Sequence, residues 1–191
     1  MKYVQLVFLF FTSHALHAQL NTKVEWTQQT SMAASDVIYY TPQNKLIWEN
    51  FRGTAVEGGR TAAITMSGFG YTANMHSSGQ KGQLDIQVYC FFNKNRSWVK
   101  SGRNTAYILT HEQHHFDVSY IAANIFIDKI QSTVLTNANY NTLLPRIYDE
   151  CIAIMNKMQD DYDNQTKNGQ EKEIQQKWNK FIDDKIAIIT K

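Results

Sequence analysis

The densest chemistry in the chain is one run of five residues, His111-Glu112-Gln113-His114-His115. It matches the pattern His-Glu-x-x-His. A helix turns by about 100° per residue, so two residues four apart differ by about 40° and one turn. His111 and His115 can therefore reach one Zn²⁺ from the same helix face. Glu112 lies about 80° to one side of their mean direction. That offset suits a general base that takes a proton from water and hands it to a leaving amine, not a metal ligand. His114 falls on the opposite flank, where solvent or a structural hydrogen bond is expected. Asp117 points well away from the metal, and a local hydrogen bond or salt bridge is expected of it. His76 lies in a loop-like stretch apart from the cluster.

Zinc requires a third protein ligand. A helix extended by Gly and a further His would supply one, but Val118 and Ile121 stand at those places, which excludes the metzincin pattern. The remaining candidates are Glu150 on a second helix and Asp160, Asp161 or Asp163 at its end. Spacing alone does not choose among them.

The elements that position these residues can be read from periodicity. A strand-rich segment is expected over 23–99 and a helical one over 104–189. In Gln83 to Phe92, Leu84, Ile86, Val88, Cys90 and Phe92 alternate with more polar residues, as in a half-buried strand. In Thr61 to Met75 the phase changes near Gly68-Phe69-Gly70, which predicts a β-bulge. Asp36 to Thr41 and Lys45 to Trp48 are weaker strand candidates. Gly53, Gly58-Gly59 and Ser77-Ser78-Gly79 read as loops. Asn104 or Thr105 caps a helix reaching about Gln131, with Ile108, His111, His115, Val118, Ala122 and Ile125 on one face. A second helix begins near Asn141, with Pro145 in its first turn and Ile147, Cys151, Ile154 and Met158 as its stripe. Tyr162 to Gly169 is polar and reads as a loop. A third helix turns Ile174, Trp178, Phe181, Ile182 and Ile189 inward. The expected class is α+β: an antiparallel N-terminal sheet followed by three main helices, with a zincin-like active-site helix.

The motif and its surroundings resemble a bacterial family of secreted zinc-dependent proteases grouped as a domain of unknown function. The central match is His111-Glu112-Gln113-x-His115-Phe116-Asp117. Leu46-x-Trp48-x-x-Phe51-x-Gly53, Ser97-Trp98-Val99 and Tyr162-Asp163-x-x-Thr166 look like further family motifs, and the resemblance spans about Lys45 to Trp178. It implies zinc binding and a peptide or protein substrate. The family's downstream motif commonly continues to His-Gly, where this chain has Asn168-Gly169. Asn is a poor zinc ligand beside His or carboxylate. Asp163, within the matching motif, then becomes the expected third ligand, and a weakened site is the alternative.

Met1-Lys2 and the apolar run Tyr3 to Phe11, followed by Ala15-Leu16-His17-Ala18, read as a cleaved signal peptide over residues 1–18. A single domain over 19–191, secreted or periplasmic, would remain. The run is too short to span a bilayer, and no later segment looks transmembrane. Of six histidines, the segment holds His14 and His17. The net charge of +2 gives no general basic field for nucleic acid. Cys90 and Cys151 both look like buried thiols that export would permit to pair. Trp48, Trp98 and Trp178 read as core or rim anchors. The expected function is an exported zinc hydrolase, most simply a metallopeptidase. A catalytically weak zinc-binding protein of the cell envelope and a metal-free interaction domain are the alternatives.

Overall fold

The computed structural model describes residues 19–59, 61–78 and 81–190; the expected signal segment lies outside them. The elements run β1 (Asn21–Trp26), β2 (Val37–Tyr39), a 3-10 turn (Trp48–Asn50), β3 (Ala63–Ile64), β4 (Ser67–Ser78), β5 (Lys81–Asn93), β6 (Trp98–Val99), α1 (Ala106–Gln131), α2 (Tyr140–Thr166) and α3 (Lys172–Ile189). The class is α+β, as the pattern predicts.

β5 is the spine of the sheet. Its alternating residues Leu84, Ile86, Val88, Cys90 and Phe92 are all buried, because the pleat sends every second side chain to the helical side. β4 pairs with it antiparallel along one edge, from Ser67 opposite Phe92 to Ser78 opposite Lys81. The other edge is shared by β1, which runs parallel, and β2, which runs antiparallel. β3 and β6 form a separate two-stranded ribbon.

The β4–β5 register is unbroken, so the predicted bulge at Gly68-Phe69-Gly70 is absent. The phase change has another cause. The chain leaves the β3–β6 ribbon, passes through Thr65 and Met66, and only then enters the main sheet. Ala63 is buried in β3 while Ile64 is exposed. Lys45 to Ile47 form no strand, and Trp48 begins the 3-10 turn. His76, Ser77 and Ser78 belong to β4 rather than to a loop, and His76 lies 3.3 Å from Asp85.

α1 forms where the sequence places it. Thr105 is the N-cap, and its hydroxyl accepts from the Ile108 N–H at 3.2 Å. The helix is buried on most sides. Phe116 and Phe126 pack toward the sheet against Phe92 and Phe69, while α2 and α3 cover the rest. α2 starts at Tyr140, so Pro145 lies in the second turn, leaving the exposed Asn141 carbonyl without a helical donor. α2 also continues to Thr166, through the segment expected as a loop. Tyr162 and Thr166 are buried one turn apart and extend its apolar stripe with helical spacing. That stripe includes Met155, whereas Ile154 is exposed. On α3, Ile182 is buried but Phe181 faces outward. Cys90 and Cys151 are separate buried thiols. No described helix is long and apolar enough to cross a membrane.

Candidate metal centre

Three side chains from two helices converge on one point. His111 and His115, one turn apart on α1, present their Nε2 atoms 3.2 Å from each other. Asp163, on α2, places Oδ1 3.1 Å from each of them. Ligand atoms about 2.0–2.1 Å from a tetrahedral ion stand roughly 3.3–3.4 Å apart. The observed triangle matches that spacing within a few tenths of an ångström. These residues form a group that can hold a metal ion.

The hydrogen bonds behind the triangle decide which atoms carry lone pairs. The Nδ1 of His111 meets Oε1 of Gln175 on α3 at 2.9 Å. A carboxamide oxygen only accepts, so Nδ1 carries the proton and Nε2 is free to ligate. The Gln175 Nε2 donates to Tyr162 Oη and Asn179 Oδ1, which fixes the amide's orientation. His115 repeats the device: its Nδ1 donates to Gln159 Oε1, while Gln159 Nε2 donates 2.8 Å to the His115 carbonyl. Such partners set the tautomer and raise the basicity of a ligating imidazole. Tyr162, fully buried, stacks on the His111 ring at 4.6 Å between centroids.

His115 and Asp163 shift each other's protonation. Burial opposes charging of His115, yet the hydrogen bond to Asp163 and the nearby Glu112 and Asp163 charges push its pKa up to about 9. Burial alone would raise the Asp163 pKa, but hydrogen bonds and charge from His111 and His115 hold it well below the usual carboxylate range.

Glu112 lies beside the triangle and is not part of it. It is 4% exposed and lines the same cleft. Thr65, in the link between β3 and β4, donates its hydroxyl to Glu112 Oε2 at 2.7 Å. The cleft has a volume of about 970 Å³, and residues Thr61 to Thr65 form one of its walls. Asn168 and Gly169, just past the end of α2, also line the cleft, and Lys167, Asn168 and Gly169 all have positive φ. Tyr107 Oη donates to the Gly169 carbonyl at 2.7 Å.

The structure chooses among the acidic candidates by placement. Glu150 is engaged by Lys129 and Arg146 at the surface. Asp161 pairs with Lys157, and Asp160 is exposed. Asn168 lines the cleft, and its backbone N–H donates to the Asp163 carbonyl at 2.8 Å. His111, His115 and Asp163 by themselves make a three-ligand group. Asp117 makes the structural bonds expected of it, accepting from Tyr40 Oη and Gln113 Nε2, each at 2.8 Å. His114 is buried rather than facing solvent, and its Nδ1 lies 2.7 Å from the Thr110 carbonyl.

Sequence reasoning missed Gln159, Gln175, Tyr162 and Thr65 as parts of the site. A signal existed only for Tyr162, which precedes Asp163 in the quoted motif. The other quoted motifs hold the frame. The Leu46 N–H donates to Gln113 Oε1 on α1 at 2.7 Å. The Gly53 N–H donates to the Ser97 carbonyl at 2.7 Å. A side chain at Gly53 would stand 2.8 Å from that carbonyl oxygen. No protein-family model, curated protein or solved structure matches the chain.

Proposed function

We propose that the protein is an exported zinc-dependent hydrolase acting on peptides or proteins. The observation that carries this reading is the convergence of His111 Nε2, His115 Nε2 and Asp163 Oδ1 beside the buried Glu112 carboxylate in one cleft. Two imidazoles and a carboxylate, with a position left open, are the donor set of many catalytic zinc sites. The resemblance to secreted zinc proteases agrees with it. An ion held by these residues would polarise a substrate carbonyl and lower the pKa of water to about 7.

The protein's own groups supply the rest. His111 and His115 are held in the ligating tautomer by Gln175 and Gln159. Glu112 takes the proton from the attacking water as the C–O bond forms. It returns that proton to the amine nitrogen as the C–N bond breaks. Thr65 holds one Glu112 oxygen and so fixes the direction from which the other can accept. β3 pairs with β6 in a two-stranded ribbon, and its residues line the cleft wall. An extended substrate can add to such an edge through backbone hydrogen bonds.

Glu112→Gln tests the catalytic assignment. It keeps the shape and removes the base. Hydrolysis of a peptide library should fall by about 10²–10⁴-fold, with zinc content unchanged. Equal activity in the two proteins, or no hydrolysis by wild type, would overturn the reading.

A further inference from the structure

A second group of ligand type lies on another flank of α1. His114 is 4% exposed, and among the described residues its Nε2 is a buried polar atom without a hydrogen-bond partner. Its Nδ1 lies 2.7 Å from the Thr110 carbonyl, which can only accept. Nδ1 is thus the protonated nitrogen, and Nε2 presents a lone pair. Carboxylates lie close to that nitrogen. Asp183 of α3 places Oδ1 3.4 Å from Nε2. Asp117, 1% exposed, completes a group whose ligand atoms all lie within 4.8 Å of one another.

The Nε2 lone pair and the carboxylate oxygens around it can only accept, and a cation among them would give each a partner. The His114–Asp183 distance of 3.4 Å is long for a hydrogen bond. It equals the roughly 3.4 Å that separates two ligand atoms about 2.1 Å from one tetrahedral ion. Tyr40 Oη and Gln113 Nε2 both donate to Asp117 Oδ1 and hold its carboxylate in place, while Lys45 Nζ, 3.7 Å from the same oxygen, offsets part of its charge. Asp183 is largely exposed, so a cation and a completing water can enter from the solvent side.

We propose that His114, Asp117 and Asp183 form a second divalent-cation site, structural in role and separate from the His111–His115–Asp163 centre. The donor set suits zinc or a neighbouring first-row ion. The ion would tie the middle of α3 to α1. α3 also carries Gln175, which orients His111, so the clamp would steady the helix that sets the first centre.

Zn²⁺ titration of the chelator-stripped protein, read by native mass spectrometry and thermal unfolding, tests the proposal. Wild type should take up about two ions per chain. His111→Ala/His115→Ala should keep one, and Asp183→Asn should also keep one. The ion retained by the double variant should raise the midpoint of unfolding, and that rise should vanish when Asp183→Asn is added. Asp183 is exposed, so its substitution should leave the fold intact. If Asp183→Asn binds as many ions as wild type, the second site does not exist. If wild type binds one ion that only Asp183→Asn removes, this proposal stands and the first centre fails. If wild type binds one ion that only the double variant loses, the second site is overturned.

Discussion

At the scale of single residues, the candidate site is governed by where its protons sit. His115 is raised above its ordinary 6.5 in the metal-free protein, up to about 9. Its contribution to folding is therefore full below about pH 6.5 and is lost as pH rises through about 9. Asp163 is depressed, so its contribution is present above about pH 3.8 and fades as pH falls below that. The metal-free centre should be firmest between about pH 4 and about pH 6.5. Under the proposed function zinc would displace the His115 proton, so zinc affinity should rise about tenfold per pH unit up to about pH 9. Competition against a chelator at several pH values would measure this, and a flat profile would contradict it. The two histidines and Glu112 were legible in the sequence because helix geometry fixes their relative directions. Gln159 and Gln175 were not, because an amide that orients an imidazole has no characteristic spacing from it. Gln159→Leu or Gln175→Leu should weaken zinc binding by about 10–100-fold while Glu112 remains in place. A calorimetric zinc titration returning the wild-type affinity would remove these residues from the site.

At the scale of elements, what was readable depended on how strongly each pattern outweighed its composition. α1 was legible almost to the residue, because a Thr105 cap preceded an unbroken period. The end of α2 was not, because polar composition over Tyr162 to Gly169 masked the spacing of Tyr162 and Thr166. That misreading matters, since the helical continuation is what aims Asp163 at α1. The change of strand phase was real, but it marked a passage between two sheets and not a bulge. The loop before β3 is held through contacts that spacing alone does not reveal. Gly53→Ala would press a methyl carbon against the Ser97 carbonyl oxygen, 2.8 Å away. Overpacking of this kind costs about 1–3 kcal/mol. Urea unfolding should show that loss, with zinc stoichiometry unchanged; a wild-type midpoint would mean the loop yields freely.

At the scale of the whole molecule, α1 is both the buried axis of the fold and the carrier of the chemistry. The sheet packs on one side of it, and α2 and α3 deliver Asp163 and Gln175 from the other. The α+β class was legible from the order of strand-like and helix-like periods. The parallel placement of β1 was not, because alternation fixes a strand's faces and leaves its direction open. Cys90 and Cys151 contribute volume and not a cross-link. A reductant should leave the melting temperature unchanged, and denaturation should expose two titratable thiols; a lowered melting temperature would reveal a disulfide. The proposed function requires one ion held by His111, His115 and Asp163. Anomalous diffraction at the zinc edge, from crystals grown with zinc, tests it most directly. A peak is expected about 2.0–2.2 Å from His111 Nε2, His115 Nε2 and an Asp163 oxygen. No peak between these three atoms, or an ion there that Asp163 does not touch, would contradict it.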